Sequence, residues 1–152
     1  MGITARTVWI DAPRQLVWER ITDVDAWPRW ASYMNELTKE GHGPLAVGSR
    51  VRVVPKAMPG SVWTVTEYEP PRSYTWTTQL APGIGLVAGH VLETKDQGTT
   101  ATFSLSTSGP VGAVLSPLLS IVFRRNTRLA TTGLKRDCEV FGRKRSDDPR
   151  LS

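Results

Sequence analysis

Apolar and polar residues alternate with a period of two through the middle of the chain, and follow a helical period near its start and at its end. Residues 3–10 read as a strand. Residues 13–22 read as a helix with Leu16, Val17 and Ile21 on its buried side and Trp18 extending that side. Asp11 is expected to cap this helix through its carboxylate. Pro13 fits the first turn, where its missing N–H is not needed. Residues 24–32 form a second, shorter helical segment that carries Trp27 and Trp30, and 35–40 a short strand. Gly41, Gly43, Pro44 and Gly48 then mark a loop and turn.

A meander follows. Residues 49–54 alternate Arg50 and Arg52 with Val51 and Val53, which places the arginines on the outer face and the valines inside. Residues 55–60 form a loop around Met58, and 61–69 the next strand, closed by Pro70 and Pro71. Residues 73–80 are rich in Tyr, Trp and Thr, which suit a half-buried pleated surface. After a Gly-Pro turn, 85–95 and 99–108 form a last hairpin joined at Asp96, Gln97 and Gly98, and Gly109-Pro110 ends the sheet.

Residues from 111 to about 145 read as one long helix, which Pro117 either kinks or starts after a preceding turn. At about 100° per residue, Leu115, Leu118, Leu119, Val122, Leu129 and Ala130 share one broad apolar side. Arg124, Arg128, Lys135 and Glu139 fall opposite, with Arg125, Arg136 and Arg143 at the flank. Asn126 lies near the middle of the apolar side, where an amide needs a partner or a wet cavity. The sheet is the large partner available for that side. The pattern predicts an α+β fold in which a curved antiparallel sheet of about seven strands wraps around the long C-terminal helix, with two short helices after the first strand. Strong sheet twist leaves room for a cavity between the layers.

A length of 152 residues fits a single domain, expected to span 1–145, with a loose tail over 146–152. Cys138 is the one cysteine, so no internal disulfide forms and a reducing compartment is expected. The longest apolar run, 111–123, falls short of the ~20 residues that span a bilayer. No signal peptide is visible at the start, and a cytoplasmic location is expected. The net charge of +5 gathers near the C-terminus, mostly as a solvated helix face.

Five segments in order carry a resemblance: IDAPRQLVWERITDVDAWPRW at 10–30, VGSRVRV at 47–53, VWTVTEYEPPRSYTW at 62–76, GHVLETKDQGTTATF at 89–103 and SPLLSIVFRRNTRLATTGLKRDCE at 116–139. Together they resemble the helix-grip fold of the START-like (SRPBCC) superfamily, within it the polyketide cyclase/dehydrase and lipid-transport group. The resemblance implies the fold. For activity it implies a range: aromatase/cyclases, carriers of hydrophobic ligands, hormone receptors, and proteins that bind quinone or lipid intermediates. Fold is not function, so the site has to be argued residue by residue.

His90 is the leading candidate. It shares a strand parity with Leu86, Ala88 and Leu92, and family sequences often carry a histidine in the matching Gly-His context. In a cavity it either donates a hydrogen bond to a ligand carbonyl or acts as acid/base near neutral pH; alternatively it is a core histidine satisfied by a neighbour. Trp63 and Trp76, with Tyr74, either stack on a flat ligand or fill the core, and Trp18 and Trp30 read as core. Leu92, Val122 and Asn126 complete the expected ligand-binding set, with Met58 and Met34 as an adaptable lip. Aromatase/cyclases usually place an arginine inside the pocket, and this chain offers no convincing interior arginine. His42, His90 and Cys138 lack zinc-ligand spacing, so neither a metal nor another cofactor is expected. P-loop, GxGxxG and GxSxG motifs are absent from the sequence.

The reading that follows is a non-enzymatic protein that binds a lipid, isoprenoid, quinone or polyketide-like molecule between sheet and helix. The alternative is an aromatase/cyclase or dehydratase in which His90 and a tyrosine such as Tyr33 or Tyr74 move protons. A weak contact of Arg124, Arg125 and Arg128 with an anionic membrane is expected, nucleic-acid binding is not, and the protein is expected to be a monomer or a homodimer.

Overall fold

The computed structural model describes residues 3–56 and 59–146. Met58 and most of the expected tail lie outside the described residues. Seven strands form one antiparallel sheet: β1 (Ile3–Ile10), β2 (Met34–Lys39), β3 (Arg50–Pro55), β4 (Ser61–Glu69), β5 (Ser73–Ala81), β6 (Ile84–Lys95) and β7 (Gly98–Ser108). Their spatial order is β1-β7-β6-β5-β4-β3-β2. Helix α1 (Arg14–Thr22) and a 3-10 helix (Val24–Arg29) follow β1, and α2 (Pro110–Ser146) closes the chain. This is the expected curved sheet around one long helix.

The strands behave as their alternation dictates. Val51 and Val53 are buried while Arg50 and Arg52 are exposed. Asp96 and Gln97 turn the last hairpin with φ of 50° and 65°, a two-residue geometry whose twist matches that of the strands. That turn pairs Lys95 with Gly98 and sets His90 opposite Phe103.

Two local expectations are corrected. Asp11 does not cap α1: Pro13 occupies the N-cap in extended conformation, with no side-chain cap. Asp11 is engaged elsewhere, its backbone N–H donating to the Glu139 carboxylate at 3.0 Å. Glu139 in turn accepts from Lys135 at 2.7 Å, and Lys135 also donates to the Trp9 carbonyl at 2.7 Å. The start of α1 is thus fixed by a tie to α2.

The second correction concerns α2, which runs unbroken through Pro117. Its inward face carries Phe123, Thr127, Ala130, Thr131, Leu134 and Cys138, all buried. Leu118 is instead 66% exposed and Val122 37%. The apolar count misplaces the face because two of its inward residues are threonines. Thr127 Oγ1 donates to the Phe123 carbonyl at 2.9 Å and Thr131 Oγ1 to the Thr127 carbonyl at 2.8 Å. With their hydroxyls satisfied within the helix, both enter the core at little polar cost. Arg20 locks α1 to this helix through Asp137 at 2.7 Å.

Candidate functional site

The inner face of the sheet, the 3-10 helix and the middle of α2 enclose a cavity of about 90 Å³. Trp63 reaches it from β4, Trp76 from β5, Ala88 and His90 from β6, and Phe103 from β7. Trp27 enters from the 3-10 helix, Tyr33 and Met34 from the start of β2, and Phe123, Asn126 and Thr127 from α2. The walls are mostly apolar and aromatic, with a few placed polar groups, the composition of a small-molecule site. At one end it meets a shallower groove of about 670 Å³, which shares Pro59, Ser61, Leu80 and Leu86 with it.

Of the residues expected from sequence, Trp63, Trp76, His90 and Asn126 line the cavity together. Tyr74 stands behind His90, stacked on its ring at 4.3 Å, and its hydroxyl donates to the Ile21 carbonyl at 2.7 Å. It supports the wall without facing the cavity. Leu92 is fully buried beyond the lining. Val122 points outward, because α2 is turned to present Phe123 instead. Trp18 and Trp30 are buried away from the cavity lining. Sequence reasoning missed Phe103, Phe123 and the part that Trp27 plays. Phe103 was reachable: placing the hairpin turn at Asp96 and Gln97 puts it across from His90.

His90 is tightly held in the site. It is 3% exposed and boxed by rings: Phe103 at 4.8 Å, Trp76 at 5.4 Å and Trp27 at 5.5 Å, all edge-on, besides the stacked Tyr74. Its Nδ1 lies 3.2 Å from the Tyr74 carbonyl oxygen. Burial lowers its pKa to about 4, against the smaller opposing effect of that hydrogen bond. Burial also raises the Tyr33 and Tyr74 phenols above their ordinary value. Near neutral pH the site therefore holds a neutral imidazole and protonated phenols, a poor set for moving protons. Cys138 sits on the inward face of α2, its thiol pushed up to about 12 by burial, and is not an activated nucleophile.

Comparison with known proteins places this geometry. The family model described as polyketide cyclase / dehydrase and lipid transport matches residues 1–139. No curated protein matches the chain by sequence. Among solved structures, a START superfamily protein from Mycobacterium smegmatis superposes with a TM-score of 0.74 at 12% identity, covering 91% of this chain and 98% of that one. The di-domain ARO/CYC BexL from the BE-7585A biosynthetic pathway gives a TM-score of 0.74 at 15% identity, covering 91% of this chain and 50% of that one. The Aha1 dimer from Colwellia psychrerythraea gives 0.69 at 19%, covering 92% and 98%. At such identities these likenesses show the fold. Among the described residues no helix is long and apolar enough to cross a membrane.

Proposed function

Because the chain belongs to the polyketide cyclase / dehydrase and lipid transport family, we propose that it binds one hydrophobic small molecule without changing it chemically. Candidate ligands are a lipid, isoprenoid, quinone or polyketide-like compound. The observation that carries this reading is the cavity walled by Trp27, Trp63, Trp76 and Phe103 between sheet and α2. A volume of about 90 Å³ is below the ~300–1,000 Å³ common for ligand pockets. The cavity in this form takes about one ring or a short branch, and a longer molecule would lay its remainder in the adjoining groove. The cyclase or dehydratase alternative draws on the family, but a base with a pKa near 4 supplies little driving force at neutral pH.

Native mass spectrometry of protein purified from its own host tests the reading. A defined hydrophobe is expected on the wild type. Ala88→Leu, which adds three carbons to the cavity wall, is expected to keep the circular dichroism spectrum and lose the adduct. A wild type that stays empty after challenge with hydrophobic extracts would overturn the carrier.

Delivery at a membrane is a further part of this proposal. Val114, Leu118 and Ile121 form an outward stripe on α2, at 78, 66 and 66% exposure. The stripe runs into Arg124, Arg125 and Arg128, which with Arg6 of β1 surround a shallow hollow. None of these arginines forms a salt bridge with another described residue. Exposed apolar groups beside uncompensated cations suit an anionic bilayer surface. Sedimentation is expected with vesicles of phosphatidylcholine plus phosphatidylserine, not with phosphatidylcholine alone. It should weaken between about 0.05 and 0.5 M salt, as screening shortens the reach of the arginines. Leu118→Glu should abolish it without loss of stability. Absence of sedimentation, or a stable dimer in solution that Leu118→Glu dissociates, would remove the membrane from the proposal.

A further inference from the structure

Inside the cavity the His90 ring has its two nitrogens in different situations. Nδ1 faces the Tyr74 carbonyl oxygen at 3.2 Å. A carbonyl oxygen only accepts, so Nδ1 carries the proton. The neutral ring then holds a bare lone pair on Nε2. That atom has no hydrogen-bond partner among the described residues, although the ring is 3% exposed and lines the cavity. The ring cannot turn to exchange the two atoms freely, because Tyr74 stacks on one face and Phe103, Trp76 and Trp27 meet it edge-on. The sequence suggests that His90 donates to a ligand carbonyl; the geometry reverses this direction.

We propose that His90 Nε2 accepts a hydrogen bond from the buried end of the ligand, so that the cavity selects a hydroxyl-bearing ring, a phenol or enol, over the matching hydrocarbon, ether or ketone. The inference rests on the reading that the cavity holds a ligand. Its physical core is the cost of leaving an acceptor unpaired against a ligand among largely aromatic walls: a ligand that donates satisfies Nε2, and one that cannot leaves it unsatisfied. Size limits the buried end to one ring at most: an apolar cavity of roughly 150 Å³ admits benzene, so the cavity of about 90 Å³ has to widen by about two-thirds to take one. Protonation of Nε2, which would turn it into a donor, is opposed by burial, since the ring stays neutral well below pH 6.

Phenol, toluene and anisole are the probes, titrated calorimetrically into the wild-type protein. They share one ring, and only phenol donates. A cavity without an acceptor prefers toluene, because phenol gives up its hydrogen bond to water on entry. The expected order is reversed, with phenol at least tenfold tighter than either of the others. His90→Phe, which keeps a ring in the box, should erase that preference. The wild-type protein also supplies a test independent of the variant's folding. With 15N-labelled histidine, the ring spectrum should show Nδ1 protonated and Nε2 bare, and phenol should shift Nε2 toward the hydrogen-bonded position. A protonated Nε2, or toluene binding as tightly as phenol, overturns the inference while leaving a hydrophobic cavity in place. Failure of all three probes to bind overturns the inference, while the carrier reading is decided separately by the challenge with hydrophobic extracts.

Discussion

Gly133→Ala is expected to destabilise the protein by about 3 kcal/mol, at the upper end of what overpacking a core costs. A Cβ built on Gly133 overlaps the carbonyl oxygen of Trp30 and comes within 2.8 Å of its carbonyl carbon. Both partners are backbone, so no rotamer change relieves the overlap. Trp30 cannot retreat, because its N–H donates to the Trp27 carbonyl at 3.0 Å and its ring packs on Trp27 at 4.6 Å. The helix has to back away instead, and this unloads Ala130 and Leu134 on its inward face. Elsewhere in a helix the same substitution gains up to about 1 kcal/mol, since alanine is the better helix former. Gly142 provides that control: its added Cβ would meet Leu16 Cδ2 at 3.4 Å, an ordinary contact with a side-chain tip. Urea unfolding of the two variants should therefore give shifts of opposite sign. Equal midpoints for Gly133→Ala and wild type would show that α2 does not rest on the Trp30 backbone.

Gly133 also shows where sequence patterning stops. The order of elements was legible because each rests on local chemistry: valine alternating with arginine in β3, turn residues at Asp96, Gln97 and Gly98, the helical spacing after Pro110. Residues sharing a strand parity were legible for the same reason, His90 with Leu86, Ala88 and Leu92, but which parity faces the cavity was not. What failed depended on partners distant in sequence. Asp11 looks like a cap, but Pro13 holds the N-cap and the chain before it is tied to Glu139 through the Asp11 N–H. The α2 wheel points Leu118 and Val122 inward because leucine and valine outrank threonine and glycine by hydropathy. The fold inverts that ranking, since Thr127 and Thr131 satisfy their own hydroxyls and Gly133 lets two backbones touch. Once α2 turns, Phe123 replaces Val122 in the cavity, and the apolar residues left outside form the surface stripe. One rotation of a helix thus exchanges Val122 for Phe123 between the expected site and the observed one.

Acid is expected to weaken the folded state through His90 by roughly 2 kcal/mol between pH 7 and pH 4.5. The sign follows from the direction of the shift. Burial lowers the folded pKa to about 4, while the unfolded imidazole titrates near its ordinary 6.5. Between those two values the unfolded chain binds a proton that the folded protein excludes, so stability falls as pH drops from above 6.5 and the loss is complete only below 4. Such a loss is a large fraction of the ~5–15 kcal/mol that holds a domain together. His90→Phe keeps every other titrating group and lacks this one. In urea unfolding at pH 7, 5.5 and 4.5, wild type should lose stability relative to the variant at each step, by roughly 2 kcal/mol in all. Parallel pH profiles for the two proteins would mean that the imidazole takes up its proton as readily in the fold as out of it. That outcome would require water to reach the ring, and an aromatic box open to water would not hold the bare Nε2 on which ligand selection depends.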